Sequence, residues 1–423
     1  MKLNIEFWAR FLINLKTEIK GYRLKINYKF EFSFFLKRMH VTQISIGRFH
    51  HFHLARQLEK RNLLEAIYTG YPRFKIKDEP GIPKQKIYTF PWLHAPYMAR
   101  GRLRLDRSIW LDREWAWWAH ESLDHYVASR LKDNPCLIAL SGSGLYSGYK
   151  AQRLGGFHIC DRGSSHIRHQ EELLSEEYRR YGSRWRGIDP RVIEKEEAEY
   201  EQADLISIPS AFCYNSFLKK GISSNKLIKI PYGARLERFY PDTTINPNRD
   251  QFTIFFVGQA SPRKGFIDLL AAFDKFSHPN KQLILAGSMS NEATSLLERR
   301  DCSNIKILGL VPNDKLRFYY NNATVFVLPS IEEGLAMVIG EAMASGCPVI
   351  ATTNTGASEM ITNGIDGFIV PIRSPQSIAD HFELLADQPE IRNRISHAAL
   401  LRVKRIGGWD YYGEQWSNVL TSL

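Results

Sequence analysis

The chain has 423 residues, enough for two ordinary domains each with its own core. With 44% hydrophobic and 24% charged residues it has the composition of a soluble globular protein, and no run approaches the roughly 20 apolar residues of a membrane-spanning helix. Five scattered cysteines (Cys136, Cys160, Cys213, Cys302, Cys347) without a CxxC pair argue against a disulfide or zinc framework and read as small buried hydrophobes in a reducing compartment.

The net charge of +12 is unevenly placed. Residues 1–130 hold 24 Lys and Arg against 12 Asp and Glu, whereas the remainder balances at 33 each. A basic first third implies an anionic partner, whether a membrane surface, a phosphorylated acceptor or nucleic acid, or else a solvated face without one.

In residues 1–38, Trp8, Phe11, Leu12, Leu15 and Ile19 recur at helical spacing among Arg10, Lys16 and Lys20. Three readings stand: a basic amphipathic helix on a membrane, a helix packed on the domain, or an extension upstream of a start at Met39. There is no small-residue cleavage site of a secretory signal.

From Val41 the pattern becomes α/β. A strand at Val41–Ile46 runs into Gly47 and a helix through Leu54, Leu58 and Leu63. Glycine in such a turn lets backbone N–H groups approach a phosphate or sugar. Further strands are expected at Ala66–Tyr68, Lys86–Phe90 and Cys136–Leu140, with a helix over Trp115–Leu131 in which Trp115, Trp117 and Trp118 read as core or interface aromatics.

Gly142, Gly144 and Gly148 form GxGxxxG after a strand, with Asp161 about 20 residues on. That spacing admits a dinucleotide (NAD) reading. The unit stands late in its domain, whereas the dinucleotide fingerprint usually opens the sheet. A strand at Phe157–Cys160 leads into Asp161-Arg-Gly-Ser-Ser-His166. His166 there either orients a sugar or acceptor hydroxyl or caps the next helix. The acid-rich helix Ile193–Gln202 reads as mostly solvated, and a strand at Leu205–Pro209 and a helix through Phe212 and Phe217 follow.

Pro231–Pro241 and the polar residues to Asp250 break both periodicities and serve as a linker. A second α/β series follows: strand Phe252–Val257, helix Ile267–Phe276, strands Gln282–Ala286 and Ile305–Leu308, helix Asp314–Asn321. Thr324–Pro371 is a β-α-β unit. Strand Val325–Leu328 enters the loop Pro329–Gly334, a helix ends at Ser345-Gly346, and strands follow at Pro348–Thr352 and Gly367–Val370. Glu333 and Glu341 bracket the entry to that helix, at the strand end where α/β sheets bind ligands. Two such series joined by one linker predict two facing Rossmann-like domains.

The motifs of the second series resemble those of the retaining glycosyltransferases of family 4, which have the GT-B fold. Glu333-Gly-Leu-Ala-Met-Val-Ile-Gly-Glu341 has the E-x7-E spacing, followed by Ala-Met-Ala-Ser-Gly-Cys-Pro-Val. Val257-Gly-Gln-Ala-Ser-Pro-Arg-Lys264-Gly265 matches the strand, loop and Lys-Gly. Pro231-Tyr-Gly-Ala-Arg235 with Phe239 and Pro241 resembles the interdomain signature. The match covers the C-terminal half well, Met39–Tyr232 more loosely and residues 1–38 not at all. Gln259 departs from the arginine common after the glycine.

The resemblance implies an α/β GT-B architecture: an acceptor-side domain over 39–232, a nucleotide-sugar domain over 233–405, and a C-terminal segment over 406–423 returning to the first domain. It implies transfer of a sugar from a nucleotide-diphosphate donor to a saccharide or lipid-linked acceptor, with retention, in cell-surface polysaccharide or glycolipid synthesis. The enzyme would be cytoplasmic or peripheral on the inner membrane face. Lys264 and Arg263 would stabilise the departing diphosphate, helped by the Ala336 and Met337 amides at a helix N-terminus. Glu341 would hold the ribose and Glu333 the transferred sugar. Gly47, Gly258, Gly309, Leu310, Gly334 and Leu335 complete the implied donor site, and His166 the sugar and acceptor side. Eight residues turn a continuous helix by about 80°, so both acids serve one ligand only because Glu333 precedes the helix. No DxD triplet occurs, in agreement with a metal-independent enzyme; no metal, cofactor or nucleic-acid partner is expected. A non-catalytic sugar-nucleotide or glycan-binding protein of the same fold is the alternative, and an NAD-dependent enzyme the third reading.

Overall fold

A computed structural model describes residues 40–77, 79–103, 108–245 and 250–423. The expected amphipathic segment at 1–38 lies outside them. Among the described residues, seven parallel strands make one sheet and six make another, in the orders β3-β2-β1-β4-β5-β6-β7 and β10-β9-β8-β11-β12-β13.

The first series runs β1 (Val41–Ser45), α1 (His51–Lys60), β2 (Leu64–Thr69), β3 (Ile87–Thr89), α2 (His94–Ala99), α3 (Ile109–Ala128), β4 (Cys136–Leu140), α4 (Leu145–Arg153), β5 (Phe157–Asp161), α5 (Ile167–Arg180), α6 (Pro190–Gln202), β6 (Leu205–Ile208), α7 (Ala211–Lys219) and β7 (Leu227–Lys229). β4 is a continuous apolar run because helices cover both faces of a parallel sheet, whereas its neighbours bury Thr42, Gln43 and Ser45 on β1 and His158 and Asp161 on β5. Leu63 lies beyond α1: Asn62, at φ 57°, turns the chain into β2.

The second series runs β8 (Phe252–Val257), α8 (Phe266–Lys275), β9 (Lys281–Ala286), α9 (Asn291–Leu297), β10 (Ile305–Gly309), α10 (Asn313–Asn322), β11 (Val325–Leu328), α11 (Met337–Ala344), β12 (Val349–Thr352), α12 (Ala357–Met360), β13 (Phe368–Val370), α13 (Pro375–Asp387), α14 (Pro389–Ile406) and α15 (Trp409–Ser422). Its core is a dense aromatic and aliphatic cluster around Phe255, Phe326, Tyr320 and Ile339. The chain crosses between the two sheets at two adjoining places. Ala234 pairs with Gly408, so the linker and the segment after α14 run side by side. α15 then packs on α1, where Asp410 pairs with Lys60 at 2.8 Å and its carbonyl accepts from Arg61.

The acid-rich helix α6 is not the solvated face its composition suggests. Lys195, Glu196 and Glu199 are buried. Lys195 pairs with Glu121 and Asp124, and Glu196 with Arg162 at 2.9 Å. Glu199 accepts the Gly142 N–H at 2.7 Å. That bond bears on the dinucleotide reading, because an internal carboxylate occupies the amide a pyrophosphate would need. A Cβ on Gly144 would stand 2.3 Å from the Ala139 Cβ and 2.6 Å from Glu199 Oε1, and one on Gly148 would stand 2.3 Å from His158 Nδ1.

Candidate active site

The loops that follow β8, β10 and β11 meet at the C-terminal end of the second sheet. After β8 the chain turns through Gly258 into Pro262-Arg-Lys264, and Gly265 ends the turn at φ 65°. A Cβ on Gly265 would stand 1.9 Å from the Pro329 carbonyl, so only glycine lets this turn close on the loop after β11. The turn carries Lys264 into an ion pair with Glu333, both side chains mostly buried. The Lys264 chain runs back over Gly258, its Cε 3.5 Å from where a Cβ would project. Gln259, in place of the expected arginine, is exposed.

Glu341 sits one helix turn into α11 and is 4% exposed. Burial raises its carboxyl to about 7 against the opposing pull of Arg235, Asn313 and Tyr320. Tyr320 Oη lies 3.5 Å away, and Arg235 bonds the Asn313 side chain at 3.0 Å. Asn313 begins α10, directly beyond Gly309 and the 84%-exposed Leu310. The loop expected to meet the nucleotide thus reaches the carboxylate expected to hold its ribose. Of the two amides expected to meet phosphate, that of Ala336 donates to the Thr355 carbonyl at 3.1 Å, whereas α11, beginning at Met337, has no side-chain cap. Leu335 and Ala336 are buried.

Glu332, next to the expected Glu333, performs a different task. Its buried carboxylate accepts from Ser164 Oγ at 2.6 Å, Ser165 Oγ at 2.7 Å, Ser165 N at 3.1 Å and Gln170 at 3.0 Å. Arg263 pairs with it at 2.9 Å and bonds its carbonyl at 3.0 Å. Burial alone would raise this carboxyl, but Arg263 and the serine donors hold it near 2. Arg263, expected to face the diphosphate, thus pairs with the acid that ties the two series together. Gly334 lies where its Cβ would come 1.9 Å from the Gly163 carbonyl, and its own carbonyl accepts from Ser210 at 2.6 Å.

On the first sheet, Gly47 follows β1 and leads to His50. The His50 ring bonds Asp161 at 2.7 Å and stacks on Tyr232 at 4.4 Å. Asp161 is fully buried, yet His50, His51 and Ser207 bring its carboxyl down to about 2. His50, His51 and Asp161 are also the one cluster among the described residues whose metal-capable atoms lie within 4.8 Å of one another. Of the two readings of His166, the cap is the one seen: it is the N-cap of α5, its Nδ1 accepting the Arg168 N–H at 3.2 Å. Its ring packs edge-on to Tyr200 and Phe217, and burial with Arg162 nearby lowers its pKa to about 4.

Sequence reasoning missed Glu332 with Ser164, Ser165 and Gln170, because hydrogen bonds between segments more than 160 positions apart leave no local pattern. It also missed His50, for which a histidine pair following Gly47 was an available signal.

Residues 243–402 match the family model for Glycosyl transferases group 1. The chain is 29% identical over 217 residues to the capsular polysaccharide biosynthesis glycosyltransferase CapM of Staphylococcus aureus, covering 48% of this chain and 57% of CapM. It spans about half the length of the curated relatives it matches. In three dimensions it is similar to sucrose-phosphate synthase from Thermosynechococcus elongatus, with a TM-score of 0.67 at 18% identity over 91% of this chain and 99% of that one. It is also similar to Anabaena HepE in complex with UDP-glucose, with a TM-score of 0.66 at 16% identity over 91% and 100%. The fold is GT-B. The second sheet lies within the span that matches this family model, as do the loops that carry Lys264 and Glu333 and the helix that carries Glu341.

Proposed function

We propose that this chain transfers a sugar from a nucleotide-diphosphate sugar to a saccharide or lipid-linked acceptor, in cell-surface polysaccharide or glycolipid synthesis. The observation that carries the reading is the Lys264–Glu333 ion pair between the loops after β8 and β11, with the buried Glu341 eight residues on in α11, all inside the matched residues.

In the free protein Glu333 neutralises Lys264. A donor diphosphate would take Lys264 as its counter-ion and release Glu333 to the hydroxyls of the transferred sugar. The leaving nucleotide gains negative charge as the glycosidic bond breaks, and a fixed ammonium in a water-poor cleft favours that charge over the ground state. Glu341 would accept from the ribose hydroxyls. Retention of configuration belongs to this reading through the resemblance to family 4. The reading includes no metal, and an anionic membrane surface is the place where a lipid-linked acceptor would be met.

The test is release of nucleotide from a panel of UDP- and GDP-sugars by wild type and Glu341→Ala. Release by wild type and its loss in the variant support transfer. Binding without release favours a non-catalytic sugar-nucleotide protein, and NADH binding by fluorescence would favour the dinucleotide reading.

A further inference from the structure

Helix α3 runs opposite to the strands it covers, since it leads from the end of β3 back to the start of β4. Tyr126, near its C-terminus, stacks at 4.4 Å on Phe90, the residue that follows β3. Trp110 stands sixteen positions earlier, about 24 Å of helix beyond that contact. The N-terminal half of α3 therefore projects past the strand ends, on the side where the Gly47 loop opens. α2 braces it. Trp115 Nε1 donates to the Leu93 carbonyl at 3.1 Å, Tyr97 meets the Trp115 ring edge-on, and Arg100 lies over Tyr97 and pairs with Asp112.

This braced projection carries large apolar side chains in water. Trp92 is 75% exposed, Trp110 72%, Met98 60% and Trp118 57%, and Phe74, on the turn after β2, is 69% exposed. Every tryptophan among the exposed large hydrophobics lies here. The surrounding sequence is net basic. Residues 71–118 hold ten Lys and Arg against five Asp and Glu. The acids with described side chains are already neutralised: Glu79 by Arg48 and Arg56, Asp112 by Arg100, and Glu114 by Arg191. Arg73, Lys75 and Lys84 are exposed beside Phe74, with Arg73 bonding the Lys84 carbonyl at 3.2 Å.

Exposed tryptophans flanked by basic residues fit one partner chemistry well. Indole rings favour the headgroup level of a bilayer, and each Lys or Arg near an anionic leaflet adds favourable energy that salt screens. We propose that Phe74, Trp92, Met98, Trp110 and Trp118, with their basic neighbours, form the surface by which this chain docks on an anionic lipid bilayer. The docked face is at the strand ends of the first sheet, so a lipid-borne acceptor would meet the cleft from its mouth. The identity of that acceptor rests on the transferase reading; the surface stands on exposure and charge.

The test uses the full chain and vesicles of phosphatidylglycerol or of phosphatidylcholine. Wild type is expected to sediment with the anionic vesicles at low salt, to leave them in 0.5 M salt on the order expected for several basic contacts, and to ignore the neutral ones. The triple variant Trp92→Ser, Trp110→Ser, Trp118→Ser is expected to lose about tenfold in partitioning, with an unchanged thermal melt and unchanged nucleotide release from the donor. Equal binding by the variant would overturn the proposal and direct attention to residues 1–38. Failure of wild type to bind, equal binding to neutral vesicles, or a dimer abolished by the triple variant without any vesicle binding would overturn it as well. Vesicle binding that depends on the tryptophans, without nucleotide release from any donor, would support the surface and sink the transferase reading.

Discussion

Lys264 and Glu333 form an ion pair that joins the turn after β8 to the loop after β11. The pair balances a cation that the free protein would otherwise leave unmatched in a largely buried position, and it holds Glu333 beside the expected reaction centre. Replacing Lys264 by Ala removes the counter-ion of the leaving diphosphate. A fall in kcat of about 100-fold or more is expected, measured as nucleotide release at saturating donor. Glu333→Gln should also lower turnover while keeping nucleotide affinity, because its assigned contact is to sugar.

Glu341 predicts a pH dependence. Its carboxyl is raised to about 7 by burial, so below that pH it is protonated in the free protein and a weaker acceptor for ribose hydroxyls. Donor affinity should rise from pH 6 to 8 and level off above. In Glu341→Gln the affinity should be lower and this rise absent, as read by donor KM across the range.

Glu332, whose carboxyl is shifted in the opposite direction, predicts a pH-dependent stability effect. Its carboxyl is held near 2, below the ordinary 4.5, so the folded state gains from its ionisation. That stabilisation is fully present above about 4.5 and is lost as pH falls towards 2. Glu332→Ala leaves Arg263 and the two serines without their partner and should cost about 3–5 kcal/mol, seen as a lower denaturation midpoint at pH 7. The penalty should shrink at pH 3.

Gly334→Ala is expected to be nearly inactive, because its Cβ would meet the Gly163 backbone at 1.9 Å and force the two series apart. The same substitution at Gly364, where nothing lies within 4 Å, tests only the cost of its left-handed backbone. Turnover relative to melting midpoint separates the two effects.

His166→Asn keeps a capping side chain and should retain both stability and turnover, whereas His166→Ala should lose about 1 kcal/mol. A fall in kcat for the Asn variant at unchanged stability would restore His166 to the chemistry.

What could be read from the residues was what is local. Val325–Leu328 is an unbroken apolar run and Phe252–Val257 is interrupted only by Thr253, the form a buried parallel strand favours. Glu333 and Glu341 were visible through spacing. Glu332 was not, since nothing near it marks it as the acid that faces Ser164 and Ser165 of the other sheet. Helix α6 shows a subtler failure: its charged residues outnumber the apolar ones, yet Ile193, Glu196, Tyr200 and Ala203 share one buried stripe at helical spacing. Periodicity held the correct face, and composition obscured it. His166 was read with two alternatives, and the one observed, a helix cap, is a purely local geometry.

The donor is expected to lodge against the Lys264–Glu333 pair and Glu341. Titration calorimetry of UDP- and GDP-sugars into wild type and Glu341→Ala tests it most directly. The account predicts binding of at least one donor by wild type, with affinity reduced about tenfold or more in the variant, as expected for loss of a hydrogen-bonding carboxylate. Equal affinity in the two proteins, or no binding by either, would contradict it.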